Sequence, residues 1–398
     1  MSDRSARLPS GVRVLVGMSF TVAVGYGIVA PVLPVFARSF DVGLTATSTV
    51  IGAFAVVRIL FAPLSGRLVE KLGELPLLFL GLLIVGVSSL ACAAATEFWQ
   101  LLVFRAAGGI GSTFFTVSSD LMLFRMSPRT MLGRASAALA GAFLLGSVVG
   151  PVAGAVLVPW GDRLPFIVYG GLLVVATAVV ALFLAACTPP HVPQERLVAS
   201  GATTFWTACK TRAFRAALAS NFLDGWTVHG IRVVLVPVFV TEMLDRTSSW
   251  AAASLALFAA GTAAGLPIAG WMADQIGRRL PSLLGTTVLA ATAVWLGLSS
   301  SIAEFLVASA LSGVGTGLIA PPANAAVGDL VNRQPTGGRG GAALAGFQMV
   351  GDAGAVVGPL LVGVVADLGG YPIAFSTAAV VAGVALVGWS RVDRRGAS

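Results

Sequence analysis

The sequence predicts an all-α integral membrane protein, with twelve transmembrane helices arranged as two pseudo-symmetric six-helix bundles. Three observations lead there. Hydrophobic residues make up 57% of the 398 residues and charged residues only 11%, against roughly 25% charged in an average soluble domain. The apolar residues fall into about twelve stretches of roughly 20 residues, the length that spans a bilayer as a helix. One glycine-and-charge motif also stands twice, at Gly66 and Gly270, 204 positions apart (270 − 66).

In chain order, residues 1–11 form a polar tail, and the first six spans run near 12–37, 44–66, 75–95, 98–123, 135–158 and 164–186. The second six run near 214–241, 249–272, 280–300, 303–328, 341–366 and 372–390. The first stretch lacks the small-residue cleavage site of a signal peptide and is expected to be retained as a span. Residues 187–213 are the one long linker, too short for a further domain, between an N-terminal bundle (1–186) and a C-terminal bundle (214–398). Its Phe205-Trp206 pair, close to Lys210 and Arg212, reads as an interfacial segment on the membrane surface. Glycine is abundant, 48 residues, as expected where helices pack closely in lipid. The three cysteines, Cys92, Cys187 and Cys209, lie far apart and have neither a metal spacing nor a disulfide framework.

The net charge of +8 is topological. Arg4, Arg7, Arg13, Arg67, Lys71 and fourteen further basic residues fall on one side of the predicted spans, nineteen in all, against Arg38, Arg163 and Arg246 on the other. Such a bias places both termini in the cytoplasm and removes the need for a nucleic-acid partner. The 23 Arg and 2 Lys point to a GC-rich bacterial genome, and hence to a multi-pass protein of a bacterial cytoplasmic membrane.

The two halves match in order beyond the loop motif. Gly27-Ile28 and Pro34-Val35-Phe36 recur as Gly230-Ile231 and Pro237-Val238-Phe239, an offset of 203. Gly109-Ile110-Gly111 recurs as Gly313-Val314-Gly315, an offset of 204, and Gly150-Pro151 as Gly358-Pro359, an offset of 208. The extra residues fall in the loop holding Gly337 and Gly338. An internal duplication of this kind is the mark of a transporter that rocks one half against the other.

With these residues in view, the chain resembles a twelve-helix member of the major facilitator superfamily over nearly its whole length. The superfamily's loop signature is Gly-x-x-x-Asp-Arg-x-Gly-Arg-Arg. The second copy follows it at Gly270, Asp274, Gly277, Arg278 and Arg279; the first keeps Gly66 and Gly73 but carries Glu70, Lys71 and Glu74. In such families the acidic residue and the arginine bridge helix ends at a cytoplasmic gate, although an acidic and basic turn also serves to fix topology. Arg105-x-x-x-Gly109-x-Gly111 in span four resembles the arginine motif of proton-coupled members. Gly146-x-x-x-Gly150-Pro151-x-x-Gly154-Ala155 in span five resembles the drug:proton antiporter signature, with Ala155 for its last glycine. Glycines four apart let helices approach, and Pro151 removes a donor and bends the helix, as a pivoting interface requires.

Ionisable residues inside spans are functional candidates by default. Asp224, His229 and Arg232 lie on span seven, Asp352 on span eleven, Arg58 and Arg105 in the first half, and Asp120 near the inner end of span four. At about 1.5 Å per residue, Asp352 and Asp224 both fall near mid-depth. A carboxylate held away from water favours its protonated form, so Asp352 and Asp224 are proton-coupling candidates, with His229 as a possible relay. At α-helical pitch Asp224 and His229 project about 140° apart. Arg105, Arg232, Arg58 and Asp120 are the charges expected to tune them; pairing each acid with an arginine for structure alone is the alternative. Tyr26, Phe114, Phe115, Asn221, Trp226 and Asn324 are the candidate substrate-cavity residues, which suit a moderately apolar small molecule, cationic and zwitterionic ones included.

The expected function is secondary active transport, with proton-coupled efflux of a drug-like or metabolite molecule by alternating access. A facilitator or proton-symport importer on the same fold is the alternative. No cofactor is expected beyond the proton gradient, and the partners are the substrate, protons and the bilayer, with a monomer as the working unit. No nucleophile–base arrangement, metal cluster or nucleotide loop points to an enzyme. The second half, with both Asp224 and Asp352, is expected to carry the proton chemistry, and the first to serve as scaffold with a hinge at Pro151.

Overall fold

The computed structural model describes residues 8–30, 32–42, 44–187, 205–246, 248–332 and 340–392. Most of the predicted linker, the Gly337-Gly338 loop and both chain ends lie outside the described residues. Every regular element described is helical: α1 (Ser10–Val29), α2 (Leu33–Arg38), α3 (Leu44–Leu72), α4 (Glu74–Ala94), α5 (Phe98–Met126), α6 (Leu132–Leu157) and α7 (Leu164–Cys187). There follow α8 (Phe205–Ala208), α9 (Arg212–Gly225), α10 (Val236–Glu242), α11 (Ser248–Gln275), α12 (Arg279–Leu298), α13 (Ile302–Asn332), α14 (Gly341–Gly369) and α15 (Tyr371–Ser390). Among the described residues, eleven helical stretches are long and apolar enough to cross a membrane, and a shorter one, Leu164–Ala178, lies in α7. Helices are the expected solution, because each satisfies its own backbone hydrogen bonds where no water is available.

Two spans differ from their predicted form. The first is split: α1 ends at Val29, and α2 starts at Leu33 with a proline in its first turn, where a missing N–H costs nothing. Span seven changes pitch midway. Between α9 and α10, Trp226–Leu235 is a ten-residue π-helix, closing with the Val236 N–H on the Ile231 carbonyl five residues back. Wider turns alter the angular relation of Asp224, His229 and Arg232 from the one α-helical pitch gives.

The chain forms two compact units. Unit 1 holds Met1–Pro128, Leu139–Ala202 and Gln334–Ala345; unit 2 holds Arg129–Ala138, Thr203–Arg333 and Gly346–Ser398. In unit 1, α4 meets α5 where Gly81 lies against Phe115 N and Gly111 against Gly81 O, and α3 meets α5 where Gly109 lies against Phe54 O. Unit 2 repeats both contacts at an offset of 204: Gly285 against Gly315 O, and Gly313 against Phe258 O. Each glycine lets two backbones touch where a side chain would hold them apart. Unit 2 also has an aromatic core, with the Phe239 ring 5.3 Å from Phe305, 5.6 Å from Tyr371 and 5.2 Å from Phe375. Among the cysteines, Cys92 is buried and Cys209 partly so, both with free thiols.

Candidate functional site

The candidate site in unit 2 is built on span seven. Asp224, one residue before the end of α9, lines a small cavity of about 30 Å³, together with Ser220, Asn221, Ile319, Ala323, Asn324 and Phe347. Asn221 donates from Nδ2 to the Phe347 carbonyl at 2.7 Å, which turns its Oδ1 elsewhere. Ser220 Oγ accepts from Trp389 Nε1 at 2.8 Å. Asp224 is half-buried, and among the described residues no basic side chain lies within ion-pair distance of it. Two of the expected cavity residues, Asn221 and Asn324, are thus brought beside the expected proton carrier. Trp226 is placed elsewhere: it is 5% exposed in the unit 2 core, and its Nε1 donates to Thr377 Oγ1 at 3.3 Å.

His229 lies on an exposed face, and Asp352 is half-buried on α14. Arg232 is almost wholly enclosed, 2% exposed. Its Nη1 donates to Ser309 Oγ at 3.3 Å, Ser309 shares a 2.7 Å hydrogen bond with Ser254, and its guanidinium carbon lies 4.2 Å from the Phe258 ring centre.

In unit 1, Arg105 on α5 is buried, with its guanidinium 4.3 Å from the Phe54 ring centre and 5.8 Å from that of Tyr26. Arg58 on α3 donates from Nη1 to Ser112 Oγ at 2.5 Å, and its carbonyl accepts from Thr113 Oγ1 at 3.4 Å. Asp120 is half-buried near the end of α5 and Tyr26 is partly exposed. Phe114 and Phe115 are buried where α5 meets α4, a packing position.

The loop motifs have a clear physical rationale. In unit 2 the Asp274 carboxylate, whose side chain is fully enclosed, accepts from the backbone N–H of Gly133 at 2.7 Å and of Arg134 at 3.0 Å. These are first-turn donors of α6, which have no partner inside their own helix, and an anion there is also favoured by the helix dipole. Arg134 Nε at 3.4 Å and Arg278 Nη1 at 3.2 Å complete the cluster, and Arg278 reaches on to Asp329 of α13 at 3.1 Å. In unit 1, Glu70 accepts from the N–H of Ala342, in the first turn of α14, at 3.3 Å. Gly66 packs on Gly341 and Ala342, as Gly270 packs on Gly133 and Arg134. Gly73 and Gly277 close the loops with φ of +86° and +104°, conformations that favour glycine. Glu74, the departure from the signature, pairs with Arg125 at 2.5 Å. Asp329, Arg125 and Arg134 lie outside the loop motifs, at helix ends 51, 51 and 140 residues from their partners Arg278, Glu74 and Asp274, so the sequence carries no local signal for them.

The span-five motif is a helix contact. A methyl group added at Gly146 would lie 2.6 Å from Phe20 O, at Gly150 2.6 Å from Gly27 Cα, and at Gly154 2.7 Å from Ile28 O. The stripe therefore presses α6 directly on α1. In unit 2, Gly351, Gly354 and Gly358 of α14 press likewise on Gly225, Phe222 and Gly230 of span seven, beside Asp224 and along the π-helical segment. Both helices carry an internal proline, Pro151 and Pro359.

The sequence profile of the Major Facilitator Superfamily matches this chain twice, over residues 15–253 and 217–398. The chain belongs to that superfamily. Solved structures share its fold across nearly all of both chains. The human organic anion transporter MFSD10 aligns with a TM-score of 0.78 at 18% identity, covering 95% of this chain and 98% of that one. The E. coli fucose:proton symporter FucP gives 0.78 at 15% identity, covering 96% and 98%. A bacterial homologue of ferroportin in its outward-facing state gives 0.79 at 15%, covering 97% and 100%. At such identities the likeness is one of fold. Among curated relatives, Multidrug resistance protein 2 of Bacillus subtilis is 25% identical over 171 residues, 43% of this chain and 42% of its own length. Quinolone resistance protein NorA of Staphylococcus aureus is 28% identical over 159 residues, 39% and 40%. The matched stretch thus spans about two fifths of each relative. The superfamily to which this chain belongs is one of transporters, and its long apolar helices are those of a multi-pass membrane protein.

Proposed function

We propose that this transporter exports small drug-like or metabolite molecules in exchange for protons, by alternating access between its two halves. The observation that carries this reading is Asp224, which faces a cavity lined by Asn221 and Asn324 with no basic partner among the described residues. A carboxylate so placed can gain or lose a proton without first breaking a salt bridge, and intramembrane acids mark proton pathways. Asp352 and His229 are the further proton-coupling candidates, Arg105, Arg232, Arg58 and Asp120 the charges that tune them. Export is supported by the resemblance of the span-five stripe to the antiporter signature and by the two drug-resistance relatives. The loop acids Glu70 and Asp274, capping helix starts, act as the latches of a cytoplasmic gate. In this reading both termini lie in the cytoplasm of a bacterium, the working unit is a monomer, and the proton gradient is the only energy source.

Inverted vesicles loaded with a pH-sensitive dye test it. A transported compound should dissipate an imposed proton gradient, and Asp224→Asn should remove that dissipation while the protein still inserts. Transport without proton movement in the wild type would sink the antiport mechanism and leave the facilitator reading. Proton entry in the same direction as substrate would favour a symporter, the mode named for FucP.

A further inference from the structure

We propose that Arg232 is the recognition residue of a carboxylate-binding site within unit 2, so that the substrates of the transporter proposed above carry a carboxylate group. A guanidinium has five N–H donors in a fixed fork. Here Nη1 is taken up by Ser309, while Nε and Nη2 are buried with no hydrogen-bond partner. Those two nitrogens share one edge of the fork and point their N–H bonds the same way, the arrangement that receives both oxygens of a carboxylate. Thr227 Oγ1, five residues earlier on the π-helical segment, is likewise buried and unpartnered. No acidic side chain among the described residues pairs with Arg232. A buried cation without a counter-ion is costly, and the fold retains it.

The internal duplication supplies an independent argument. Phe54 and Phe258 are equivalent positions, as are Arg105 and Ser309 (258 − 54 and 309 − 105 are both 204). Unit 1 places Arg105 on Phe54. In unit 2 the equivalent position carries serine, yet a guanidinium again lies on the equivalent ring, now delivered by Arg232 from span seven. Packing alone would not require a cation to return to that ring from a different helix. A single edge with one unit charge matches a monoanion with two oxygens better than a phosphate dianion. The edge is enclosed in this conformation, so loading belongs to another stage of the transport cycle.

Thermal melting of the purified full-length protein in detergent, with sodium benzoate as probe and sodium chloride at equal ionic strength as control, tests the site. Benzoate should raise the wild-type Tm by a few degrees, Arg232→Lys should show less than half that shift, and Arg232→Met none. The lysine variant decides the matter if the methionine variant does not fold, because it keeps the charge and loses the fork. No benzoate shift in the wild type, or an undiminished shift in the variants, would overturn the proposal. A chloride shift equal to that of benzoate would also overturn it, assigning the edge to a free halide. Melting reads no proton movement, so failure here leaves the antiport reading standing, and failure of proton coupling in vesicles leaves this one standing.

Discussion

Glu74 and Arg278 occupy equivalent places in the two gate loops and carry opposite charges, and so do their partners Arg125 and Asp329 (278 − 74 and 329 − 125 are both 204). The duplicated ion pair has therefore been inverted in one half with both members exchanged. Glu74→Arg alone sets two arginines side by side and should lower stability by up to about 1 kcal/mol, the scale of a partly exposed pair. Adding Arg125→Asp should restore it. Thermal melts of the single and double variants check this, and a double variant no better than the single would show that the two side chains do not depend on each other. Asp274 and Glu70 differ more sharply. Asp274 serves two backbone donors and two arginines from a fully enclosed position, so Asp274→Asn should cost about 3 kcal/mol. Glu70 is only half-buried and accepts from the Ala342 N–H at a longer 3.3 Å, so Glu70→Gln should cost about 1 kcal/mol or less. Denaturant or thermal unfolding of the two variants ranks them, and an equal loss would contradict the asymmetry.

In both units, pairs of helices come into backbone contact at glycines. Gly150 is one such case, its added methyl falling 2.5 Å from Val24 O and 2.6 Å from Gly27 Cα. Since neither atom is on a flexible side chain, Gly150→Ala should force α1 and α6 apart at about 1–3 kcal/mol and slow transport. Gly363 on α14 has nothing within 4 Å of the same position, so Gly363→Ala should be neutral or slightly stabilising. Melting and transport rates of the pair provide the check: equal effects would mean that the stripe has no special closeness. The π-helical segment of span seven was not legible beforehand. Its residues show no pattern that separates i→i+5 from i→i+4 bonding, and the segment lies where Gly225 and Gly230 are pressed on α14. The split between α1 and α2, by contrast, has a cue in the sequence, Pro34 in the first turn of α2, inside a stretch whose hydrophobicity alone is continuous.

At the scale of the whole molecule, the sequence by itself determined the membrane class, the span-by-span order and the duplication. Lipid makes these local properties: about 20 apolar residues must become a helix whatever surrounds them, and a copied half keeps its spacing. It also marked the gate loops and the buried ionisable residues, because glycine, charge and hydrophobicity conflict visibly at those positions. Only the tertiary structure decided what those residues meet. Asp274 finds the start of α6, Glu74 finds Arg125, Asp224 faces a cavity that excludes Trp226, and Arg232 lies on Phe258. Inside a bilayer, helices choose neighbours by shape, close approach and polar pairing rather than by burial of apolar surface. Hydrophobic pattern therefore fixes each helix, while its lateral partners follow from the assembled surfaces.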